Sequence, residues 1–434
     1  MPDSLLRMLI WFFTHSVYRL RVEGRGNIPE KGGALFVCNH VSFVDALLII
    51  GSTDRMIRAV MFKDIYEKWY VKPFAKAMNA IPISSQQRPR EMIRSLHQAS
   101  QMIRDGHVVC IFAEGQITRI GQMLPFRRGM SFIMKDVEAP IIPVCLDNVW
   151  GSIFSYERGR FFGKIPRYFP YPVTVSYGTP LPAKSTPHEV RQAVQELNTV
   201  SWRHRKELML PLPVFFIRNA HRHPRLFLMA DQRTPKLTCG GALLKTLFLV
   251  GRLRPVWRGQ DKVGILLPPS VPGALVNYAA LLLGKVPVNL NYTANDEVLA
   301  SCARQCELKT VITSKALLEK VKVKVPGEVI LLEDLAANPR FTEKLRALLF
   351  WPIPAPWLAR LLGASVDTHS LLTIIFSSGS TGEPKGVMLS QYNVISNIEQ
   401  AGQTFAFRHH DKRSEEHTSE LQSPCNLVCR LLLE

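Results

Sequence analysis

Residues 34–45 read ALFVCNHVSFVD, an apolar run followed by a short polar segment. The first four residues, Ala34 to Val37, are apolar, which predicts a short strand of an α/β sheet. His40 and Asp45 follow this strand, five positions apart. In a continuous helix that spacing would turn about 500° and leave the two side chains roughly 140° apart. We therefore expect His40 to lie before a helix and Asp45 in its first turn, within reach of each other.

A histidine beside a carboxylate suits general-base chemistry. An imidazole accepts a proton near neutral pH, and a carboxylate can fix its tautomer and stabilise its charged form. A structural interpretation is also available: Ser42 would be an N-cap and Asp45 the acid of a capping box, with His40 an ordinary residue at the end of a strand. The pair alone leaves both interpretations open.

Two more motifs follow in the same half of the chain. Residues 112–119 read FAEGQITR after the apolar run Val108–Phe112, and residues 140–144 read PIIPV. Together with the histidine and aspartate, these blocks resemble the glycerolipid acyltransferase family, which includes 1-acylglycerol-phosphate and lysophospholipid acyltransferases. One block departs: near residues 78–85 the family carries an arginine soon after an apolar run, and here the nearest arginine is Arg88.

The resemblance implies transfer of a fatty acyl group from a thioester of acyl carrier protein or coenzyme A. The acceptor would be the free hydroxyl of a lysophospholipid, such as lysophosphatidylethanolamine or 1-acylglycerol-3-phosphate. His40 would be the general base and Asp45 the carboxylate that orients it, without a metal or a cofactor. The alternative from another class is a lipid- or carrier-binding module without catalysis.

The same resemblance implies a set of substrate-binding residues, namely Glu114, Gly115, Thr118, Arg119 and Pro143. Arg119 is the natural phosphate ligand, because its guanidinium matches two phosphate oxygens. For Glu114, a buried carboxylate paired with a nearby base is the alternative.

The second half carries a loop of glycines and hydroxyls. Residues 372–386 read LTIIFSSGSTGEPKG, an apolar strand that runs into this loop and ends near a lysine. Backbone amides, hydroxyls and a cation in such a loop can hold phosphates, although the spacing is not that of a Walker motif. The loop resembles that of adenylate-forming enzymes, the acyl-CoA and acyl-carrier-protein synthetases, which implies ATP and Mg²⁺ as cofactors. The implied phosphate ligands are Ser377, Ser378, Gly379, Ser380, Thr381, Gly382 and Lys385.

Both halves in this order resemble bifunctional 2-acylglycerophosphoethanolamine acyltransferase/acyl-carrier-protein synthetases over about residues 5–411. The adenine-binding segment, the acidic ribose-binding motif and the C-terminal subdomain of the synthetases do not occur in the sequence. We therefore expect the second half to be incomplete and its ATP-dependent ligase activity to be lost. Residues 413–423 read RSEEHTSELQS, which matches one translated frame of a common sequencing adapter; a genuine polar helix is the alternative.

Apolar strands alternate with helical stretches such as Asp64–Met78 and Pro89–Arg104, and this alternation predicts an α/β fold. We expect a glycerolipid acyltransferase-type sheet with surrounding helices, followed by an incomplete α/β N-terminal part of an adenylate-forming enzyme. The expected divisions are an interfacial membrane helix at 1–22, the acyltransferase domain at 23–209, the truncated AMP-binding domain at 210–412 and an adapter artefact at 413–434.

The charge of the chain indicates anionic partners. Its formal net charge is +19 and its pI is about 9.7, yet it shows no recognition-helix, finger or aromatic-basic signature of a nucleic-acid-binding protein. The N-terminal segment is apolar with aromatic and cationic ends but too short to span a bilayer, which needs about 20 apolar residues. We expect a helix in the membrane interface at the cytoplasmic face of the inner membrane, and a core-docked helix is the alternative. The eight cysteines show neither disulfide nor zinc spacing.

Overall fold

The computed structural model describes residues 3–83, 89–164, 166, 168–377 and 383–405. The chain divides into two units, Met1–Glu207 and Leu208–Glu434, close to the limit expected at residue 210. Both units are α/β, as predicted, and each is built on a mostly parallel sheet. Among the described residues, no helix is both long and apolar enough to cross a bilayer.

The first unit contains seven strands in its described part. The strands are β1 (Tyr18–Glu23), β2 (Ala34–Cys38), β3 (Ile57–Phe62), β4 (Ile81–Ile83), β5 (Val108–Phe112), β6 (Ile141–Asp147) and β7 (Tyr171–Tyr177). The helices are α1 (Asp3–Val17), α2 (Asp45–Gly51), α3 (Lys63–Tyr66), α4 (Lys72–Ala77), α5 (Pro89–Arg104), α6 (Gly129–Ile133) and α7 (Pro187–Arg205). Short 3-10 helices cover Arg25–Asn27, Glu157–Gly159 and, at the junction of the units, Lys206–Leu208.

Strand β2 lies in the middle of this sheet, whose order is β1-β7-β6-β2-β5-β3-β4. It pairs in parallel with β5 and β6, and only β6 and β7 pair antiparallel. Phe36 and Cys38 pack into the hydrophobic cluster on one face of the sheet, and Leu35 and Val37 into the cluster on the other. All five residues of β2 are buried, which explains why the strand is apolar throughout rather than alternating.

Helix α1 is shorter than expected. It ends at Val17, and the predicted helix to residue 22 is wrong because Tyr18–Glu23 forms edge strand β1, paired in parallel with β7. Leu6 and Ile10 are buried in the core of the unit, so one face of the helix docks as the alternative interpretation held. The opposite face is apolar and exposed, with Phe12 the most exposed of its large side chains at 67%.

The second unit contains a six-stranded sheet and a two-stranded one. Its strands are β8 (Phe227–Met229), β9 (Leu237–Thr238), β10 (Lys262–Ile265), β11 (Val286–Asn289), β12 (Thr310–Thr313), β13 (Glu328–Leu331), β14 (Leu371–Ser377) and β15 (Lys385–Ser390). Its helices are α8 (Leu212–Arg222), α9 (Cys239–Val256), α10 (Val271–Leu282), α11 (Asp296–Cys306), α12 (Lys315–Lys320), α13 (Leu332–Ala336), α14 (Phe341–Phe350), α15 (Ala355–Leu362) and α16 (Gln391–Phe405). The larger sheet has the order β13-β12-β10-β11-β14-β15, and only β14 and β15 pair antiparallel.

Candidate functional site

The site lies at the carboxyl end of β2, where the chain leaves the sheet. Asn39, the first residue past the strand, is buried. Its side-chain amide donates to the carbonyl oxygen of Leu146 at 3.0 Å, and its side-chain oxygen accepts from the backbone N–H of Leu146 at 2.8 Å. The side chain thereby pairs with β6 as a further strand residue would. This pairing fixes the point at which His40 departs from the sheet.

His40 and Asp45 are in direct contact. His40 Nδ1 lies 2.8 Å from Asp45 Oδ2, and helix α2 begins at Asp45, as the spacing predicts. Asp45 is fully buried, whereas the His40 side chain is 20% exposed. Because a carboxylate only accepts hydrogen bonds, Nδ1 is the donor and Nε2 is left with a lone pair. The arrangement suits an imidazole that accepts a proton at Nε2.

Asp45 also holds the backbone that carries His40. Its Oδ2 accepts from the backbone N–H groups of Val41 at 2.6 Å and Ser42 at 2.9 Å, and its Oδ1 accepts from Ser42 Oγ at 2.6 Å. Ser42 is not the N-cap of α2: that position belongs to Val44, which makes no side-chain cap. The reciprocal capping box is therefore not formed, because Ser42 Oγ donates to the carboxylate and accepts from the N–H of Val44, the residue before the helix, rather than from that of Asp45.

Phe112 supports the imidazole ring from the neighbouring strand. The two ring centroids are 4.2 Å apart and the ring planes differ by 20°, so the rings stack. Phe112 is the last residue of β5, which pairs with β2. Stacking on one face and a hydrogen bond at Nδ1 leave the ring a single orientation.

Glu114 holds the same loop through a hydrogen bond to its backbone. It is buried, and its two oxygens accept from the backbone N–H groups of His40 and Leu124, both at 2.8 Å. Burial raises the pKa of this carboxyl to about 7, and the two backbone hydrogen bonds oppose the rise. In this structure both oxygens bind protein N–H groups, and contact with the acceptor stays a prediction. Among the described residues the hydrogen bonds of Glu114 go to backbone N–H groups rather than to a basic side chain.

The three other predicted site residues of the FAEGQITR block have different surroundings. Gly115 is exposed with φ of 71°, and a Cβ there would lie 2.8 Å from Arg127 Nε. Thr118 is buried, and its backbone N–H donates to the carbonyl oxygen of His40 at 2.9 Å. Arg119 is exposed, with its guanidinium carbon 5.5 Å from the centre of the Tyr156 ring. Arg119 is both charged and exposed, so its guanidinium is open to a ligand.

Pro143 lies inside the sheet. It is buried within β6, opposite Val37 of β2, and its carbonyl oxygen accepts from the backbone N–H of Gly178 at 2.8 Å. The structure therefore gives Pro143 a place inside the sheet, and its contact with substrate stays a prediction. The Thr118 side chain is buried outside the sheet, and its role in binding likewise stays a prediction.

Five aromatic side chains near the loop that carries His40 were not identified from the sequence. We call them the aromatic patch: Phe43, Phe154, Tyr156, Phe161 and Phe162. The ring of Phe43 lies 4.4 Å from that of Phe161 and 5.8 Å from that of Phe162, centroid to centroid. Phe162 is 60% exposed. A run of four aromatic residues between positions 154 and 162 was the available signal.

The loop that carries the aromatic patch is tied to the loop that carries His40. The backbone N–H of Phe43 donates to the carbonyl oxygen of Phe154 at 3.3 Å. Lys164, a buried lysine, donates to both the carbonyl oxygen and the hydroxyl of Ser155. Ser155 in turn bridges to Ser42. The patch is therefore held against the site by main-chain contacts as well as by ring packing.

In the second unit, the structure describes two of the seven predicted phosphate-loop residues. Ser377 ends β14, Lys385 begins β15, and the two residues pair across the antiparallel ladder. Both are exposed, and the Ser377 hydroxyl lies 3.5 Å from the carbonyl oxygen of Lys385. Ser378, Gly379, Ser380, Thr381 and Gly382 lie outside the described residues.

These two residues are suited to bind a phosphate group of ATP, because an exposed ammonium and a hydroxyl lie side by side at the end of a strand. Lys385 would supply the charge and Ser377 a hydrogen bond. In the part of the chain that the structure describes, no three His, Cys, Asp or Glu side chains are grouped as metal ligands. The described residues thus offer contacts for phosphate.

Two family profiles match the chain, one in each unit. The acyltransferase family matches residues 19–147, which include His40, Asp45 and Glu114 but only Phe43 of the five residues in the aromatic patch. The family described as AMP-binding enzyme matches residues 216–425.

Individual relatives match each half. The 1-acyl-sn-glycerol-3-phosphate acyltransferase of Limnanthes douglasii is 26% identical over 177 residues, which are 40% of this chain and 57% of that protein. The 4-coumarate–CoA ligase 4 of Arabidopsis thaliana is 30% identical over 146 residues, 33% of this chain and 26% of that protein. A solved structure, the 1-acyl-sn-glycerophosphate acyltransferase PlsC of Thermotoga maritima, aligns with TM-score 0.38 and 21% identity over 47% of this chain and 79% of that one. The matched segments thus span less than two thirds of the length of either curated relative.

Proposed function

Because this chain joins an acyltransferase domain of the 1-acylglycerol-3-phosphate acyltransferase family to an AMP-binding enzyme domain, we propose that it acylates a lysophospholipid. The donor is a fatty acyl thioester of acyl carrier protein or coenzyme A. The acceptor is the free hydroxyl of lysophosphatidylethanolamine or 1-acylglycerol-3-phosphate. Phospholipid synthesis or remodelling is the process served.

The observation that carries this proposal is the contact of 2.8 Å between His40 Nδ1 and the buried Asp45. Nε2 of His40 takes the proton of the acceptor hydroxyl as its oxygen attacks the thioester carbonyl. The tetrahedral intermediate collapses with cleavage of the carbon–sulfur bond, and the imidazolium returns the proton to the departing thiolate. Base catalysis contributes about 100- to 10,000-fold, and positioning of the two substrates contributes further.

Two neighbouring features suit an amphiphilic acceptor. Arg119 offers an exposed guanidinium for the phosphate, and it lies over Tyr156, a member of the aromatic patch. The patch, which is linked to the His40 loop through Phe43, offers apolar surface for the acyl chain that the acceptor already carries. A guanidinium and an apolar surface therefore lie next to each other near the loop that carries the base.

Access to a lipid substrate is given by helix α1. Its exposed face carries Leu9, Trp11 and Phe12, while Leu6 and Ile10 hold the helix to the core. Such a helix lies in the headgroup region of a bilayer with its apolar face inserted. We place the protein peripherally at the cytoplasmic face of the inner membrane.

The AMP-binding unit favours a second candidate activity, ATP-dependent activation of a fatty acid, with Lys385 and Ser377 at the phosphates. We propose that the 434-residue polypeptide itself performs acyl transfer and not ligation. Adenylation also needs contacts to adenine and ribose, and we find no motif for these contacts in the sequence.

Acyl transfer assayed on the purified chain tests the proposal. Lysophosphatidylethanolamine and 1-acylglycerol-3-phosphate are each offered with acyl-carrier-protein and coenzyme A thioesters. His40→Ala is expected to lose at least about 100-fold of the activity, whereas the control His97→Ala, at an exposed position on α5, retains it. A His40→Ala variant with more than about a tenth of wild-type activity would exclude this base. No transfer by the wild type with any donor would favour the non-catalytic lipid-binding module.

A further inference from the structure

Helices α14 and α15 of the second unit expose an unusual amount of apolar side chain. Six large residues are 44% to 77% exposed, and we call them the helix-pair surface: Phe341, Leu345, Leu348, Leu349, Trp357 and Leu361. The phosphate loop and the His40 site do not account for this surface, since neither helix contributes a residue to them.

The exposure in α14 follows the geometry of the helix. At about 100° per residue, Phe341, Leu345, Leu348 and Leu349 form one stripe about 100° wide. Ala347, the buried residue of this helix, points the opposite way, toward the core of the unit. The outward face is therefore the more apolar one, which reverses the pattern of a helix on the surface of a globular protein.

Helix α15 repeats the arrangement. Ala355, Leu358, Ala359 and Leu362 are buried in the core, and Trp357 and Leu361, one turn apart, are exposed. Trp357 is 72% exposed. Tryptophan is the side chain most typical of the boundary between lipid and water, because its ring is apolar and its N–H is polar.

The charges around this surface are almost all positive. Residues 340–362 contain four basic side chains, Arg340, Lys344, Arg346 and Arg360, and a single acidic one, Glu343. Glu343 faces inward, where its carboxylate pairs with Arg252 of α9 at 2.7 Å. By the same helical geometry, Lys344 and Arg346 flank the apolar stripe of α14 on its two sides.

We propose that the helix-pair surface binds an anionic lipid bilayer, with its apolar side chains among the acyl chains and its cations at the headgroups. Helix α14 carries an apolar stripe edged by lysine and arginine, and α15 exposes a tryptophan; both are features of helices that lie in the membrane interface. Charge complementarity selects this occupant, since a bilayer rich in acidic phospholipid is both apolar and negative. This contact is separate from that of α1 and does not depend on the acyl transfer chemistry.

Partition of the whole chain into vesicles tests the proposal. The probes are vesicles of phosphatidylcholine alone and of phosphatidylcholine with phosphatidylglycerol. Leu348→Ser with Leu349→Ser is expected to lower partition into both by about tenfold or more. Lys344→Gln with Arg360→Gln should lower partition into the anionic vesicles alone, by about fivefold for each cation at low salt, and not at high salt. The matched control, Val387→Ser with Met388→Ser, changes exposed apolar residues of β15 in the same unit and should leave partition unchanged.

A fluorescent label sensitive to polarity locates the contact independently of α1. Placed at Leu349→Cys it should shift to the blue when anionic vesicles are added, whereas at Met388→Cys it should not. The six described native cysteines are buried, so labelling at an exposed cysteine is selective among them. A label at 349 that does not shift would overturn the proposal. So would a shift that depends on protein concentration without vesicles, because the surface would then bind a second copy of the chain.

Discussion

Replacing Glu114 by glutamine gives a prediction whose sign changes with pH. The raised pKa of Glu114, from 4.5 to about 7, means that the folded chain holds this proton more tightly than the unfolded one. The stability that the Glu114 proton contributes is therefore fully present below about pH 4.5 and is lost as the pH rises through 7. At 1.36 kcal/mol per pKa unit, the loss in the free energy of unfolding approaches about 3 kcal/mol at pH 8.

Glutamine removes the charge but introduces a different defect. One of its two terminal groups is an amide nitrogen, and it must face the backbone N–H of either His40 or Leu124. An unsatisfied donor of this kind costs about 1–3 kcal/mol. Glu114→Gln should thus be about 1–3 kcal/mol less stable than the wild type at pH 5, and equal or more stable at pH 8, where the wild type has lost its own contribution.

Urea unfolding at both pH values measures the difference. Since the chain has two units, unfolding should be followed by pulsed hydrogen exchange of peptides from β2 and β5, which belong to the first unit alone. Taking the difference between variant and wild type at each pH removes the contributions of other titrating groups. If the variant were less stable by the same amount at pH 5 and pH 8, Glu114 would be ionised throughout and the reasoning would fail.

Four shorter predictions concern the other features. Asp45→Asn should lower kcat for acyl transfer by more than about 100-fold, because an amide N–H facing Nδ1 favours the tautomer of His40 that carries its proton on Nε2. An unchanged kcat would contradict the pairing. Gly115→Ala should destabilise the first unit by at least about 1 kcal/mol, measured by urea unfolding, since φ is 71° there. Phe12→Ser should weaken vesicle binding by about tenfold. It should leave the urea midpoint of the first unit unchanged, because Phe12 is exposed. Vesicle binding equal to that of the wild type would refute insertion of α1. Incubation with ATP and fatty acid should give no pyrophosphate exchange above that of Lys385→Ala, and clear exchange would establish adenylation by this polypeptide.

The sequence predicted the elements that are buried on both sides. Ala34–Cys38 and Val108–Phe112 are uninterrupted apolar runs, and only a central parallel strand needs such a run. Helix α5 was predicted with its correct bounds, because a proline opens it. The contact between His40 and Asp45 could also be predicted, since their spacing is incompatible with a continuous helix.

Elements at the edges of the fold were missed for a physical reason. Tyr18–Glu23 alternates apolar and polar residues, which suits a half-exposed edge strand, yet its proximity to α1 favoured an extension of the helix. Helices α3 and α4 were expected as a single helix over residues 64–78, and Pro73 in the first turn of α4 separates them. Local pattern does not reveal which strand an edge residue will pair with.

Roles within the site were harder to predict than its location. A motif names Glu114 and Thr118 together with Arg119, but burial divides them. The first two have their hydrogen bonds turned inward to the backbone, and the third is exposed. A sequence motif does not show which of its side chains face the core and which face solvent, because the backbone turn at Gly115 determines this.

Three side chains hold the His40 loop through its main chain. Asp45 binds the N–H of Val41 and Ser42, Glu114 binds the N–H of His40, and Asn39 binds β6 through Leu146. Every amino acid except proline supplies the same N–H, so these contacts do not depend on the side chain at the donating position. Phe43, which is 39% exposed, can then be exchanged in a directed-evolution library without displacing the base. Under the proposed acyl transfer, Phe43, Phe161 and Phe162 are the positions at which we expect chain-length preference to be open to redesign.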